Sequence, residues 1–367
     1  MNEQQLKLIV ERFNIQGDVK SVKPLGAGHI NDSYKVETTP ASAPEYVLQR
    51  INHYIFKDVP ALQNNILRVT NHIKEKLIKA GVKDVQNRVL QLIPTKDNQL
   101  FYKDNEGNYW RILYFIPDSF SYDIVNPEFS YQAGKAFGDF QAMLADLPGE
   151  PLAETIPNFH NMEARLETFR QAVKDNKAGR LEKTKFMVDE IEKRAEEMCK
   201  AERMYREGKL PKRINHCDTK VNNVLFDKDG QVLCVVDLDT VMPGYVLSDF
   251  GDFMRTGANT GKEDDTDLSK VSINMDIFEA YTKGYLEKAK PFLTPVEIEN
   301  LAFGAKLLTY MQTVRFFADY LDGDLYYKIH SPEHNWERTL AQFKLLQDME
   351  DKFDQMQQIV SEAVANA

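Results

Sequence analysis

Apolar residues recur at helical spacing across residues 4–14 and predict a short opening helix. Residues 19–51 change to short β-rich runs at 19–25, 33–37 and 46–51, the first two joined through Gly26-Ala27-Gly28. Helical spacing returns at 60–80, with Pro60 in the first turn and Gly81 just past the end, where helix termini favour those residues. Three more strands are predicted at 88–94, 99–103 and 109–116. The last two are joined by Asp104-Asn105-Glu106-Gly107-Asn108, a run of turn formers. One helix among about five antiparallel strands predicts an α+β unit that ends near Pro117-Asp118.

Beyond it the pattern is helical, at 127–147, 160–175, 183–207, 274–288, 295–322 and 335–364. The fifth opens on a capping box, Thr294-Pro295-Val296-Glu297. A single β interruption, 224–226 and 232–237, turns on Asp227-Lys228-Asp229-Gly230. The expected architecture is therefore α+β and two-lobed: a β-rich N-terminal lobe with one long helix over 1–117, and a mainly helical lobe over 118–367. A chain of 367 residues exceeds what one hydrophobic core usually serves, which agrees with two lobes.

Composition narrows the function classes. Hydrophobic content of 43% and charged content of 28% are those of an ordinary globular chain. No stretch approaches the ~20 apolar residues of a membrane-spanning helix, and the polar start Met1-Asn2-Glu3-Gln4 lacks the layout of a signal peptide. Cys199, Cys217 and Cys234 are odd in number and lack metal-ligand spacing, so a reducing cytoplasm is expected. A net charge of -10 argues against nucleic acid as a partner. An acidic chain meets a nucleotide through a local site and a metal.

The densest chemistry is Asn215-His216-Cys217-Asp218-Thr219-Lys220-Val221-Asn222-Asn223, leading into the apolar 224–226 run. Val235-Val236-Asp237-Leu238-Asp239 closes the hairpin, so Asp218, Asn223 and Asp237 are expected to meet in one cleft. Oxygen ligands of this kind suit Mg²⁺, not zinc. The arrangement matches a kinase catalytic loop with its metal-binding Asp: Asp218 as base, Lys220 at the γ-phosphate, Asn223 and Asp237 on the metal. The plainer reading, Asp218 and Asn223 as turn caps and His216 as a core histidine, accounts for any one of these residues but not for their joint spacing.

Leu25-Gly26-Ala27-Gly28-His29-Ile30-Asn31-Asp32 lies between two predicted strands, where Gly26 and Gly28 let backbone N–H groups approach phosphate. By itself it also reads as an ordinary hairpin turn. A cation for the α/β-phosphates is expected on the third strand, where this chain has Gln49-Arg50. Arg50 is the candidate, with Gln49 the alternative if the register shifts by one. The acid expected on the following helix to pair with that cation is missing around Gln63-Asn64-Asn65.

These residues resemble the aminoglycoside phosphotransferase and choline kinase superfamily, built like protein kinases. Within it the chain is similar to N-acetylhexosamine 1-kinases, through Gly-Ala-Gly-His-Ile-Asn-Asp (26–32), Tyr-Val-Leu-Gln-Arg-Ile-Asn (46–52), His-Cys-Asp-Thr-Lys-Val-Asn-Asn (216–223) and Val-Asp-Leu-Asp-Thr-Val-Met-Pro-Gly (236–244). The segments 249–261, 267–272 and 323–330 continue it. The resemblance implies a kinase-like fold and ATP- and Mg²⁺-dependent phosphorylation of the anomeric hydroxyl of an N-acetylated amino sugar by a cytoplasmic monomer. It implies Asp218 as base, Asn223 and Asp237 as metal ligands, Asp249 as a brace for the loop, and backbone at Phe115 and Ile116 against adenine. Asp252, Arg255, Arg315 and Tyr320 are its sugar-side candidates. Arg315 also reads as half of an i, i+4 pair with Asp319, and Tyr320 as a core-edge residue. Cys217 departs from the small or polar residue usual there. The alternatives are a kinase for another small alcohol (an aminoglycoside, choline or another sugar), a catalytically dead binding module, and a metal-dependent phosphohydrolase.

Overall fold

Asn2 and Gln5 cap each other's backbone at the start of α1 (Glu3–Val10), a capping box that fixes where the helix begins. Its apolar stripe, Leu6, Ile9 and Val10, is buried with Phe13 against one face of an antiparallel sheet. That sheet contains β1 (Asp18–Pro24), β2 (Asp32–Thr39), β3 (Tyr46–Ile51), β4 (Leu92–Ile93), β5 (Tyr102–Lys103) and β6 (Tyr109–Tyr114). The strand order is β1-β2-β3-β6-β4, with β5 paired to β6. Side chains alternate across a strand. Tyr46 and Leu48 of β3 therefore join Val36, Trp110 and Ile112 in the core over α1, while Gln49 lies on the other face, in register with Ser33 and Arg111. α2 (Val59–Lys79) starts on Asp58, which accepts the Ala61 N–H, and buries Leu62, Ile66, Val69 and Ile73. Burial of a Leu, Ile or Val side chain contributes about 1.5–3 kcal/mol.

This computed structural model describes residues 1–26, 30–122 and 125–366. The chain divides into one unit of Met1–Ser121, Asp146–Pro157 and Val224–Met242, and a second of Tyr122–Ala145, Asn158–Asn223 and Pro243–Ala367. The division differs from a single boundary near residue 117 because the first unit also takes the hairpin β8 (Val224–Phe226) and β9 (Val232–Val235). Backbone bonds of 2.8 Å in both directions join Phe120 to Phe226, and Arg88 Nη1 donates to the Val232 carbonyl at 2.7 Å. Asn65 of α2 likewise holds Ala153, through its carbonyl and its N–H.

The second unit is helical: α3 (Pro127–Leu144), α4 (Met162–Asp175), α5 (Lys185–Met198), α6 (Lys200–Arg206), α7 (Val246–Gly257), α8 (Met275–Ala289), α9 (Pro295–Glu299), α10 (Leu301–Asp322), α11 (His334–Asp351) and α12 (Phe353–Asn366). β7 (Arg213–Asn215) leads into the chemically dense loop. Three helices expected as single rods are broken, at Cys199, Asn300 and Lys352. At Asn300 the cause is visible: its side chain donates to the Val296 carbonyl and accepts Lys200 Nζ, competing with the helical ladder. The strand expected over 88–94 is reduced to Leu92–Ile93.

α7 and α10 approach backbone to backbone. A Cβ on Gly251 would stand 2.1 Å from the Gly304 carbonyl oxygen, and neither helix can withdraw without opening the core around Phe250 and Phe253, both fully buried. Gly251→Ala is therefore expected to lower stability by at least the ~1–3 kcal/mol of an overpacked core, read as a fall in melting temperature. An unchanged melting temperature would show that the two helices separate freely.

Candidate functional site

The loop after β7 is held by one buried carboxylate. Asp249, in the first turn of α7, accepts the His216 N–H through Oδ2 and the Cys217 N–H through Oδ1, both at 2.8 Å. Gln141 of α3 donates to the same Oδ2 at 2.7 Å and is itself held by the Tyr285 hydroxyl. Thr219 completes the attachment: its hydroxyl donates to the Asp249 carbonyl at 2.6 Å and its N–H to Asp252 at 3.0 Å. Asp249 thus braces the loop, as the resemblance implies. His216 is fully buried, edge-on to Phe137 and Phe140, and its Nδ1 accepts the Asp218 N–H at 3.3 Å. Cys217 has a φ of +63°, a left-handed conformation uncommon for a side-chain-bearing residue. The turn swings the chain so that Asp218 follows directly on the braced pair.

Asp218 forms a 2.7 Å ion pair with Lys220, and both side chains are part-exposed. Burial works to raise the Asp218 pKa, but the Lys220 ammonium outweighs it and the net shift is downward. Burial works to lower Lys220, and Asp218 carries it upward. Both are charged at neutral pH. Asn223 donates through Nδ2 to the Asp218 carbonyl at 2.8 Å and to its carboxylate at 3.3 Å. Its Oδ1 is thereby turned from Asp218, an amide oxygen of the kind that hard cations take. The structure thus brings Asp218, Lys220 and Asn223 together in the second unit. Asp237 belongs to the first, at a φ of +60° ahead of a 3₁₀ turn, Leu238–Thr240.

The nucleotide-side expectations divide. Gly26 has a φ of +66° with open space where a Cβ would point, as a turn approached closely by a ligand requires. Gly28 lies outside the described residues. Arg50 pairs with Asp32 on the sheet face that carries Leu48 and Trp110, whereas Gln49 stands on the opposite face, bonded to Ser33 and Arg111. Strand alternation separates the two candidates: the face carrying Asp239, two residues past Asp237, receives Gln49 and Arg111, and Arg50 stands on the other. The Phe115 N–H is taken by the Glu45 carbonyl at 3.0 Å, and the Ile116 carbonyl accepts the Ser119 hydroxyl at 2.7 Å.

The sugar-side candidates also separate. Asp252 and Arg255 are a buried pair at 3.0 Å, Arg255 continuing to Glu263 at 2.5 Å. Asp252 also accepts the Thr219 N–H, and Arg255 is held by the two acids. Tyr320 is fully buried beneath Arg180, with its hydroxyl on Glu333. Arg315 forms no pair with Asp319, whose carboxylate is filled by the N–H groups of Leu325, Tyr326 and Tyr327 and by Asn335. Instead its guanidinium lies over the rings of Phe159, Tyr326 and Tyr327 and donates to Gln312.

Sequence reasoning missed what surrounds Arg315. Arg165 donates twice to the Phe159 carbonyl, at 2.8 and 3.1 Å, so two guanidiniums flank one residue. Among the described residues neither has a carboxylate within 4.0 Å. Burial, with Arg315 adding to it, pulls Arg165 down to about 10. His160 stacks on Phe159, its Nδ1 is buried without a hydrogen-bond partner, and burial followed by Arg315, Arg165 and Arg255 drives its pKa well below 6.5. No linear spacing signals such a cluster, since its members come from residues 159–165, α10 and the segment after it.

Asp264, His330 and His334 form another group of possible metal ligands. His334 Nε2 is 2.9 Å from Asp264, but its Nδ1 accepts the His330 N–H. That hydrogen bond favours the tautomer with its proton on Nε2, donated to the carboxylate. The group is a hydrogen-bonded clip. Among the described residues no helix is long and apolar enough to cross a membrane.

The sequence model of the phosphotransferase enzyme family matches residues 21–287. Among solved structures, an aminoglycoside phosphotransferase from Alicyclobacillus acidocaldarius is similar with a TM-score of 0.63 at 12% identity, over 97% of this chain and 96% of that one. An amicoumacin kinase in complex with AMP-PNP, Ca²⁺ and Ami gives 0.61 at 12% identity, over 97% of both chains. Choline kinase from Cryptosporidium parvum gives 0.60 at 13%, over 98% of both. The likeness of fold confirms the α+β, kinase-like architecture, with an antiparallel sheet in one unit and helices in the other.

Burial pushes the Asp249 carboxyl up to about 6, against the opposing pull of His216 and the donors around it. The folded value lies above the unfolded ~3.9. The stability gained by binding that proton is therefore complete below about pH 4 and lost as the pH rises through 6. Asp249→Asn removes this component, worth about 3 kcal/mol at ~1.4 kcal/mol per unit. The melting temperature of the parent should fall relative to the variant between pH 4 and 7. Parallel profiles would mean that Asp249 is ionised throughout.

Proposed function

The chain belongs to the phosphotransferase enzyme family, and from that premise we propose that it is an ATP- and Mg²⁺-dependent kinase that phosphorylates the anomeric hydroxyl of N-acetylglucosamine or N-acetylgalactosamine. Asp218 accepts the hydrogen bond, and late in the reaction the proton, of the acceptor hydroxyl, while Lys220 neutralises charge on the γ-phosphoryl. Asn223 and Asp237 supply oxygen ligands for Mg²⁺, which when bound screens the phosphate charge. Asp249 and Asp252 keep the loop at fixed geometry, so that orienting the acceptor costs no reorganisation.

The acceptor class rests on one observation, the pair of guanidiniums at Arg165 and Arg315 without carboxylate partners. Arg255 links that neighbourhood to the loop electrostatically, since its charge acts on both His160 and Asp218. An aminoglycoside or choline carries positive charge and is favoured by carboxylates or an aromatic cage. Guanidiniums instead donate to hydroxyl and acyl oxygens, which an N-acetylated sugar presents. The observation thus favours a sugar over the second reading, a kinase for another small alcohol such as an amino alcohol.

Incubation with Mg·ATP and a panel of N-acetylhexosamines, plain hexoses, choline and aminoglycosides, following ADP release, tests the assignment. The expected product has lost its reducing end and carries an acid-labile phosphate. A reducing 6-phosphate, or turnover only with cationic acceptors, would refute it. Asp218→Asn should keep its melting temperature and its Mg·ATP affinity but lose at least ~100-fold in kcat. If Asp218 is only a turn residue, the loss will appear in stability and kcat will persist in the folded fraction.

A further inference from the structure

A kinase-like sheet is expected to carry a cation on its third strand and a partner acid on the following helix, and this chain has neither in place. Gln49 occupies the inward position of β3. On α2, Gln63 is fully buried with both amide atoms unpartnered, and Asn65 spends its amide on the carbonyls of Ala153 and Val241. The cation comes from the next strand. Arg111 of β6, directly across from Gln49, is 2% exposed; its Nε donates to Gln49 Oε1 at 2.9 Å and its Nη1 to Asp239, itself 3% exposed.

Asp239 lies two residues beyond Asp237, in the 3₁₀ turn Leu238–Thr240. Its second oxygen accepts Asn31 Nδ2 at 2.5 Å, and Asn31 Oδ1 takes the Asn52 N–H at 2.9 Å. The turn is therefore tied to β6 through Arg111, to the start of β2 through Asn31, and to α2 through the Asn65–Val241 bond at 3.1 Å. All of these groups belong to the first unit. A left-handed Asp237 is favoured where its surroundings hold the backbone, and this network holds the turn that directly follows it.

We infer that Arg111 is the positioning residue for the metal-bearing turn: through Asp239 it sets the backbone from which Asp237 reaches the metal, in place of the expected strand–helix ion pair. This rests on the reading of Asp237 as a Mg²⁺ ligand. Outer partners of metal ligands typically contribute 10–100-fold to metal affinity. Lysine retains the charge but not the fork that meets Gln49 and Asp239 together.

The test is a Mg²⁺ titration of the full chain with a fluorescent ATP analogue and no sugar, for the parent, Arg111→Lys and Gln49→Met, alongside melting temperatures. Arg111→Lys should raise the half-saturating Mg²⁺ by about 10-fold or more, and Gln49→Met, which leaves the ion pair, by less. The KM for N-acetylglucosamine should stay within about two-fold, because the acceptor-side residues are untouched. If Arg111→Lys does not fold, the Gln49→Met titration decides alone. A parent that binds nucleotide in a Mg²⁺-dependent manner, with variants titrating alike, overturns the inference and leaves the kinase reading standing. A parent without Mg²⁺-dependent binding overturns both.

Discussion

The carboxylate of Asp249 is the constraint on which the candidate site depends. It is buried, and desolvation of a charge is costly unless donors replace the lost water. Two of its donors are the consecutive backbone N–H groups of His216 and Cys217, and the third is Gln141. Because the donors are backbone, the acid fixes a chain path rather than a side-chain rotamer. That path includes the left-handed Cys217 and delivers Asp218 at its end. A conformation this uncommon does not persist on local preference; the bidentate grip of α7 on the turn maintains it. The close packing of α7 on α10 at Gly251 and Gly304 holds the grip itself in place.

The first unit repeats the device with a different chemistry. Asp239 is again a buried acid satisfied on both oxygens, here by Arg111 and Asn31, and again a left-handed residue stands close by, Asp237 here as Cys217 does in the other unit. In each unit one acid is consumed as structure so that another is left at a defined position. The arrangement explains why the sequence is crowded with acids at 237, 239, 249 and 252 although only Asp237 is a candidate for the metal. An acid that is fully hydrogen-bonded and buried has little capacity left for a ligand, and this separates Asp252 from Asp218 more sharply than spacing does.

The cluster proposed to meet the acceptor follows a different electrostatic rule. In a chain of net charge -10, Arg165 and Arg315 stand together without acids, their attraction to Phe159, Tyr326 and Tyr327 coming from carbonyl and ring faces. Ring faces and carbonyls stabilise a guanidinium without neutralising it. The donors keep their affinity for an external oxygen, and His160 beside them stays neutral.

Hydrophobic period alone determined the α+β class, the main strands of the first unit and the hairpin that separates Asp218 from Asp237, because these depend on residues close in the chain; it did not show α7 (Val246–Gly257), and it merged α5 with α6, α9 with α10 and α11 with α12. The spacing of His216, Asp218, Lys220 and Asn223 was legible for the same reason: a tight loop leaves its members no other neighbours. The side of β3 that faces Asp239 was not legible, since a shift of one residue exchanges Gln49 for Arg50 and only pairing with β2 and β6 sets the register. Nor was the substitution of Arg111 for a third-strand cation, the pairing of Arg255 with Asp252 and Glu263, or the company of Arg315. Those partners lie between 3 and 156 residues apart in sequence. A side chain's choice among several acids or rings is made by the packing of whole elements, and that packing is a property of the folded chain rather than of any window along it.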